Sequence, residues 1–383
     1  MSTLTTKFFE DFLKKYEKDD TIKVEKFEKN CACESEMNFM SVVSRITICG
    51  TKNSKEQEWS LIIKQPPTEC FFNAQKAFEN EIFAYQKIVT TLEEYASKPL
   101  RFAKCLFASK ELIILEDLSK DGYRNLKKKT MLTLEQIKNV LKELANLHAA
   151  SISLMIKNPE KFKAISQTVQ EISFATPKTD VMVTQEWNLD KAIDLLKSNP
   201  EASAILCELK EKTFELQKQS LMGPRKLNVI THGDCWTNNI LVNKNNEVQL
   251  IDLQSMRTTS IAADLTYFLY TNMDPSVRMK HEKKLLNIYF KELNQNLRKT
   301  NVNYQIERKF LDSEMSDFKL FGFMFGMFLL PVFCAKNLKS YSLENTEPEI
   351  TRRILLFAKE YVQKVKNERI NCEKIRHVGP QRL

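Results

Sequence analysis

The chain is poor in glycine, with seven in 383 residues. None of the seven builds G-x-x-x-x-G-K-[ST] or G-x-G-x-x-G, so phosphate cradles of the Walker and Rossmann types are both excluded. Nine cysteines, scattered from Cys31 to Cys372, have neither paired C-x-x-C spacing nor the density of a secreted disulfide scaffold. Cys31 and Cys33 are at most a weak metal hint. The first twenty residues turn charged before an apolar core of signal-peptide length can form. A reduced, cytoplasmic protein is expected.

Long apolar runs are also scarce. The one candidate, Leu320 to Ala335 between Lys319 and Lys336, is shorter than the roughly 18–20 residues a membrane span needs, and Pro331 interrupts it. A buried helix is expected there, and no stable membrane span. Charge of one sign is not concentrated anywhere: 58 Lys and Arg against 49 Asp and Glu leave +9, spread along the chain. Nucleic-acid binding is therefore not expected, although a mildly basic surface suits a protein that handles nucleotides. Nothing in the sequence sets the oligomeric state.

What is present looks globular and too long for one ordinary domain, which predicts two lobes around a cleft. Val42 to Cys49 and Trp59 to Lys64 read as strands of a hairpin, separated by a charged turn over Thr51 to Glu58. Phe78, Ile82, Tyr85 and Val89 fall on one face of a helix. A further strand, Leu112 to Glu116, runs into the polar segment Asp117 to Gly122. Thr133 and Gln136 form a capping-box signature ahead of a helical pattern. Strands first and helices later make an α+β plan joined near residue 118, with residues 1–117 as the N-terminal lobe and 118–383 as the C-terminal lobe.

The sharpest signal is THGDCWTNNILVNKNNEVQLIDL, Thr231 to Leu253. His232, Asp234 and Asn239 fit H-x-D-x-x-x-x-N, in which the Asp accepts a substrate hydroxyl proton and the Asn holds a metal. Two short β-type runs follow, Ile240 to Val242 and Val248 to Ile251. Folded as a hairpin they bring Asn239 beside Asp252, which delivers two oxygen ligands to one point, as Mg²⁺ on nucleotide phosphates requires. A surface hairpin that merely ends in Asn and Asp is the plainer alternative. His232 is expected to brace the loop.

A phosphate-binding cation positioned by a carboxylate is also needed. Lys64 ends a strand and Glu81 follows on the helix, the required order, with Glu79 as competitor for the second role. In place of a glycine-rich loop stands Ser35 to Ser41, where backbone amides and the Ser41 hydroxyl would cover the phosphates.

The segments LIIKQPP, FENEIFAY, LIILEDL, LANLHAAS, HGDCWTNN, IDLQ and ADLTYFL together resemble the ecdysteroid kinase-like (CHK kinase-like) family, relatives of choline and aminoglycoside kinases. The resemblance spans about Asn38 to Phe333. It implies a protein-kinase-like two-lobed fold, mainly β in the N-lobe with one key helix and helical in the C-lobe, with ATP and Mg²⁺ between the lobes. It implies Lys64 as the phosphate-binding lysine, Glu81 as its partner, Glu116 to Leu118 as the adenine-binding hinge, Asp234 as base, and Asn239 and Asp252 as metal ligands. Asp264 resembles the family's structural aspartate, with a helix cap as the simpler alternative. Met37 and the pair Ser260-Ile261 depart from the family pattern.

The expected activity is phosphoryl transfer from ATP to a small hydroxylated, steroid-like acceptor. A choline, ethanolamine or aminoglycoside kinase is one alternative, and a pseudokinase that binds a hydrophobic ligand is another. The apolar run Phe318 to Phe333, with Gly322 and Gly326 four apart, is either a groove for the acceptor or a helix packed all round.

Overall fold

The structure, a computed structural model, describes residues 4–31, 41–66, 74–126, 130–169, 171–172, 180–334 and 347–377. Its N-lobe is built on the two-residue period of a sheet. Helix α1 (Thr6–Glu17) starts at Thr5, whose hydroxyl accepts from the Phe8 N–H at 3.1 Å. Its apolar side lies on an antiparallel sheet of β1 (Lys23–Cys31), β2 (Val42–Lys52), β3 (Lys55–Gln65), β4 (Cys105–Ala108) and β5 (Ile113–Glu116), in spatial order β1-β2-β3-β5-β4. Phe9 and Leu13 join Ile46, Ile48, Leu61, Ile63 and Ile114 in one buried cluster. The alternate residues, Arg45, Ser60, Ile62 and Lys64 among them, therefore share the opposite face.

The hairpin is longer than the sequence suggests. β2 and β3 pair from Val42 opposite Gln65 to Lys52 opposite Lys55, and most of the charged stretch expected to be a turn is strand. Only Asn53 and Ser54 reverse the chain, both at positive φ, 53° and 62°. Two such residues give the turn whose twist matches a hairpin. The charged side chains sit on a ribbon projecting from the core, where pairing needs no apolar pattern. For the same reason β1, nearly all exposed, carries no alternation to reveal it.

Helix α2 (Ala74–Phe83) runs through a π-helical turn (Ala84–Val89) into α3 (Thr90–Glu93). The turn inserts one residue per hydrogen-bonded ring and rotates the buried face. Phe78, Tyr85 and Ile88 are buried as a result, whereas Ile82 and Val89, expected on that face, are only half-buried.

After β6 (Arg124–Asn125) the chain becomes helical. In α4 (Leu134–Lys157) the capping box is formed in both directions: the Gln136 N–H donates to Thr133 Oγ1 at 3.3 Å, and the Thr133 N–H to Gln136 Oε1 at 2.9 Å. There follow α5 (Pro159–Thr168), α6 (Asp180–Leu195) and α7 (Pro200–Met222). Short strands then return as β7 (Val229–Thr231), β8 (Ile240–Val242), β9 (Val248–Leu250) and β10 (Arg257–Thr259). The remainder is α8 (Ile261–Asn272), α9 (Pro275–Lys299), α10 (Arg308–Asp317), α11 (Lys319–Cys334) and α12 (Pro348–His377). Strand β6 joins the β8–β9 hairpin, and β10 pairs with β7. This is the α+β, protein-kinase-like plan.

Helix α11 is apolar all round and packs against α8, α6 and α12. A Cβ on Gly322 would lie 2.9 Å from Thr266 Cβ and 3.0 Å from the Thr266 carbonyl oxygen, and one on Gly326 2.7 Å from Phe357 Cζ. The two glycines thus admit neighbouring helices, and the expected acceptor groove between them is filled by α8 and α12. Of the two readings the packed helix therefore holds, because an all-apolar helix is covered by neighbours on every side. The side chains of Val332 and Phe333, counted in that run, lie outside the described residues. Among the described residues no helix is long and apolar enough to cross a membrane.

Gly322→Leu is accordingly expected to cost roughly 1–3 kcal/mol or more through overpacking. Thermal melting would register this as a lowered midpoint; an unchanged midpoint with a selective acceptor defect would restore the groove.

Candidate active site

The loop that carries Asp234 is held between two strands and one helix. β7 ends at Thr231, which pairs with Arg257 at the start of β10. Arg257, buried, donates to the Gly233 carbonyl at 2.9 Å and to Glu171 Oε2 at 2.8 Å. Gly233 has φ 83°, and a Cβ there would fall 2.0 Å from the Ser255 carbonyl oxygen. Only glycine fits that position.

Helix α8 supplies the remaining anchors. Asp264 accepts from the His232 N–H at 2.7 Å and the Gly233 N–H at 2.8 Å, with His148 Nε2 3.0 Å away. Burial works against its charge, but these donors outweigh burial and hold its carboxyl below the ordinary range. Asp264 thus sits behind the loop as the resemblance implies. Ser260 is the N-cap instead, accepting from the Ala262 N–H at 3.0 Å, so the helix start is intact with Ile261 as its first residue. Further along α8, Asn272 donates to the Cys235 carbonyl at 3.0 Å and accepts from the Thr237 hydroxyl at 2.7 Å. His232 is fully buried, and burial lowers its pKa, which suits a brace more than an acid.

Asp234 points out of this frame. Tyr267, on α8, donates its hydroxyl to Asp234 Oδ1, and Asn239 Nδ2 donates to Oδ2 at 2.9 Å. Burial, and then the negative charge of Asp252, push the Asp234 carboxyl up to about 6, with Tyr267, Arg257 and Asn239 pulling the other way. At neutral pH the charged form still prevails.

The β8–β9 hairpin does bring the two predicted oxygen donors together. Ile240 pairs with Leu250, and the Ile251 N–H donates to the Asn239 carbonyl at 3.0 Å, so the hairpin closes directly beneath Asp252. Its loop is shaped by Asn243, whose side-chain oxygen accepts from the N–H groups of Asn245 and Glu247. Asp252 has φ 67°, a left-handed conformation that Asp tolerates better than most residues.

Lys64 crosses from the sheet to meet both partners. Its ammonium lies 2.7 and 2.6 Å from the two oxygens of Glu81 and 2.9 Å from Asp252 Oδ1. Burial alone would lower its pKa, yet Asp252 and Glu81 outweigh burial and raise it, so the side chain stays charged. Glu81 is fully buried and also accepts from the Leu253 N–H at 3.3 Å. The competitor Glu79 faces solvent and, among the described residues, meets Gln75 on its own helix turn.

Other predicted residues are more peripheral. Ser41 is buried at the foot of β2, next to the pair Val42 and Gln65, while residues 35–40, with Met37 and Asn38, lie outside the described residues. The Glu116 carboxylate accepts from the Lys104 N–H at 2.8 Å and so faces β4, and Leu118 is buried at the start of a short 3₁₀ turn. Between them Asp117 accepts from Ser60 at 2.6 Å and from Arg45 Nε at 2.8 Å, which ties this segment to the sheet.

Sequence reasoning missed Arg45, Ser60, Arg257, Tyr267 and Asn272, and named Asp117 only as part of the segments Glu116 to Leu118 and Asp117 to Gly122. One signal existed for Tyr267: it follows Asp264 by three residues on one helix and so shares its face. Among the described residues no cluster of three or more His, Cys, Asp or Glu could hold a metal alone.

The chain is similar, at low identity, to several solved structures and to one curated relative. An ethanolamine kinase of Plasmodium vivax is 14% identical, with 88% of this chain and 81% of that one covered and a TM-score of 0.42. A spectinomycin phosphotransferase solved with ADP and its antibiotic is 12% identical, covering 94% of this chain and 100% of that one at TM-score 0.46. A choline kinase from Streptococcus pneumoniae is 10% identical, covering 93% and 98% at TM-score 0.41. A protein of Caenorhabditis elegans named as an uncharacterized oxidoreductase is 23% identical over 294 residues, 67% of this chain, and the match spans only 34% of that relative's length. The profile of the ecdysteroid kinase-like family matches residues 35–302, and with Lys64, Glu81, Asp234, Asn239, Asp252 and Asp264 all inside that span, the chain belongs to the ecdysteroid kinase-like family.

Proposed function

We propose that the protein is an ATP-dependent phosphotransferase that moves the γ-phosphate to a hydroxyl of a small, hydrophobic, steroid-like molecule. The observation that carries this reading is that Lys64 joins Glu81 to Asp252, while Asn239, whose carbonyl accepts from Ile251 next to Asp252, joins Asp234, residues drawn from a sheet, a helix, a loop and a hairpin. Family membership supports it. In this reading residues 1–117 bind the nucleotide, 118–383 carry the base and the acceptor site, and the hinge lies at about 116–120 with Glu116 and Leu118 against the adenine.

The donor set fits magnesium. Mg²⁺ takes one or two protein oxygens and fills its octahedron with phosphate and water, and Asn239 and Asp252 offer one side-chain oxygen ligand each. When bound, the ion would neutralise charge on the phosphates. The residues of the chain do the rest. Lys64 steadies the α- and β-phosphates, Glu81 aims Lys64, and Ser41 covers the phosphates from the foot of β2. Asp234 orients the acceptor hydroxyl and takes its proton late in the transfer.

An apolar acceptor is favoured by the description of the family, ecdysteroid kinase-like. A cationic acceptor such as choline would be better served by a cage of carboxylates and aromatics.

The test is phosphate transfer from radiolabelled ATP in magnesium to ecdysone, choline and gentamicin in parallel. Transfer to ecdysone is expected. Transfer to choline or gentamicin alone would move the acceptor class, and transfer to none would overturn the reading. Lys64→Arg should lose most of this transfer while melting normally, because a guanidinium fork is larger than the ammonium that fits between Glu81 and Asp252. A fully active Arg variant would move the phosphate contact elsewhere.

A further inference from the structure

We propose that Tyr267 is a positioning residue for phosphoryl transfer, its hydroxyl locking the Asp234 carboxylate in one orientation and its ring tying that lock to the aromatic wall of α11. The proposal rests on the function proposed above and deepens it.

The geometry is specific. Asp234 is a short side chain with two torsions, and each of its oxygens receives one donor from a different element: Oδ1 from Tyr267 on α8, Oδ2 from Asn239 at the hairpin. Two donors on opposite oxygens stop the carboxylate from rotating. Each oxygen carries two lone pairs, so the clamped carboxylate can still accept from an acceptor hydroxyl. Asn239 alone could not hold it, since the same Nδ2 also donates to the Asp234 carbonyl at 2.9 Å and so follows the backbone.

Tyr267 is itself immobile. It is 3% exposed, sits one helical turn from Asp264, and packs its ring, tilted, 5.0 Å from Phe325 and 6.5 Å from Phe321. Helix α8 therefore acts as a template for the loop. Asp264 fixes the backbone at 232 and 233, Tyr267 fixes the side chain at 234, and Asn272 fixes 235 and 237. A base free to swing would spend part of each encounter misaligned, and misplacement on the order of 1 Å can cost about 10²-fold in rate. Because alignment matters as the proton moves, its loss should reach kcat and leave binding alone.

The test uses the full chain with ATP, magnesium and whichever of ecdysone, choline or gentamicin the wild-type protein phosphorylates. Tyr267→Phe should lower kcat by about 10- to 100-fold, with the KM for ATP and for that acceptor within about two-fold of wild type. Added to Asp234→Asn it should cause no further loss, since the hydroxyl acts through that carboxylate. Wild-type kcat in Tyr267→Phe, a rise in acceptor KM at unchanged kcat, or additive losses in the double variant would each overturn the proposal. Should Tyr267→Phe fail to fold, Phe325→Leu decides: it leaves the hydroxyl in place and loosens the ring, so a lowered kcat at unchanged KM supports the lock and an unchanged kcat sinks it. A wild-type chain that phosphorylates none of the three acceptors overturns the function reading, and this inference with it; an active wild type with an unaffected Tyr267→Phe overturns this inference only.

Discussion

Asp234→Asn should cut turnover by roughly 10² to 10⁴-fold while nucleotide binding changes little. The amide keeps the size of the carboxylate but can neither take a proton nor accept from both Tyr267 and Asn239. The same group sets a pH limb. Burial and Asp252 raise its carboxyl to about 6, so in the wild type turnover should fall as pH drops through that value and the base becomes protonated. Magnesium held at Asp252 would offset more of that charge than Lys64 already does, so the limb should move to lower pH as magnesium saturates. Steady-state rates across pH 5 to 8, with nucleotide affinity measured separately by a fluorescent ATP analogue, check both statements. Near-normal turnover in Asp234→Asn would remove this residue as the base.

The second large effect is expected at Asp252. Its carboxylate meets the Lys64 ammonium at 2.9 Å and stands where the hairpin closes on Asn239. Asp252→Ala should abolish transfer and remove the magnesium dependence of ATP binding, because the phosphate charges lose a bridge. Alanine is strained at φ 67°, so Asp252→Asn is the cleaner variant: Asn accepts that backbone and loses only the charge. Calorimetric titration of ATP with and without magnesium separates the cases. Identical magnesium-supported affinity in Asp252→Asn and wild type would reduce Asp252 to a hairpin-end residue.

Residues close in sequence were the easiest to place. His232, Asp234, Asn239 and Asp252 lie within one short segment, and a hairpin between Ile240 and Leu250 is enough to bring its ends together. Lys64 and Glu81 were legible because the order of strand and helix restricts which side chains can meet. The capping box at Thr133 was legible because its partners are three residues apart. What escaped depends on packing between distant segments. Tyr267 reads as one more aromatic in ADLTYFL, and only the docking of α8 under the loop brings its hydroxyl to Asp234. Arg257 needs the β7–β10 pairing, and the bond from Arg45 to Asp117 crosses from β2 over β3 to the end of β5. Gly322 and Gly326 looked like a groove because sequence does not say which neighbour fills the space. Thr266 and Phe357 do.

The segment that marks the family begins at residue 35 and ends at 302, and the sheet and helices it contains lean on what lies outside it. β1 pairs with β2 along Lys23 to Cys31, and α1 covers Ile46, Ile48, Leu61 and Ile63. At the other end, Tyr267 and Tyr270 rest on rings from α11 and α12. A chain trimmed to the recognisable segment would open an unpaired sheet edge and an aromatic surface to solvent, both invitations to aggregate. The smallest piece worth expressing is thus set by these two flanks, and homologues aligned only over the shared segment should be cloned well beyond it.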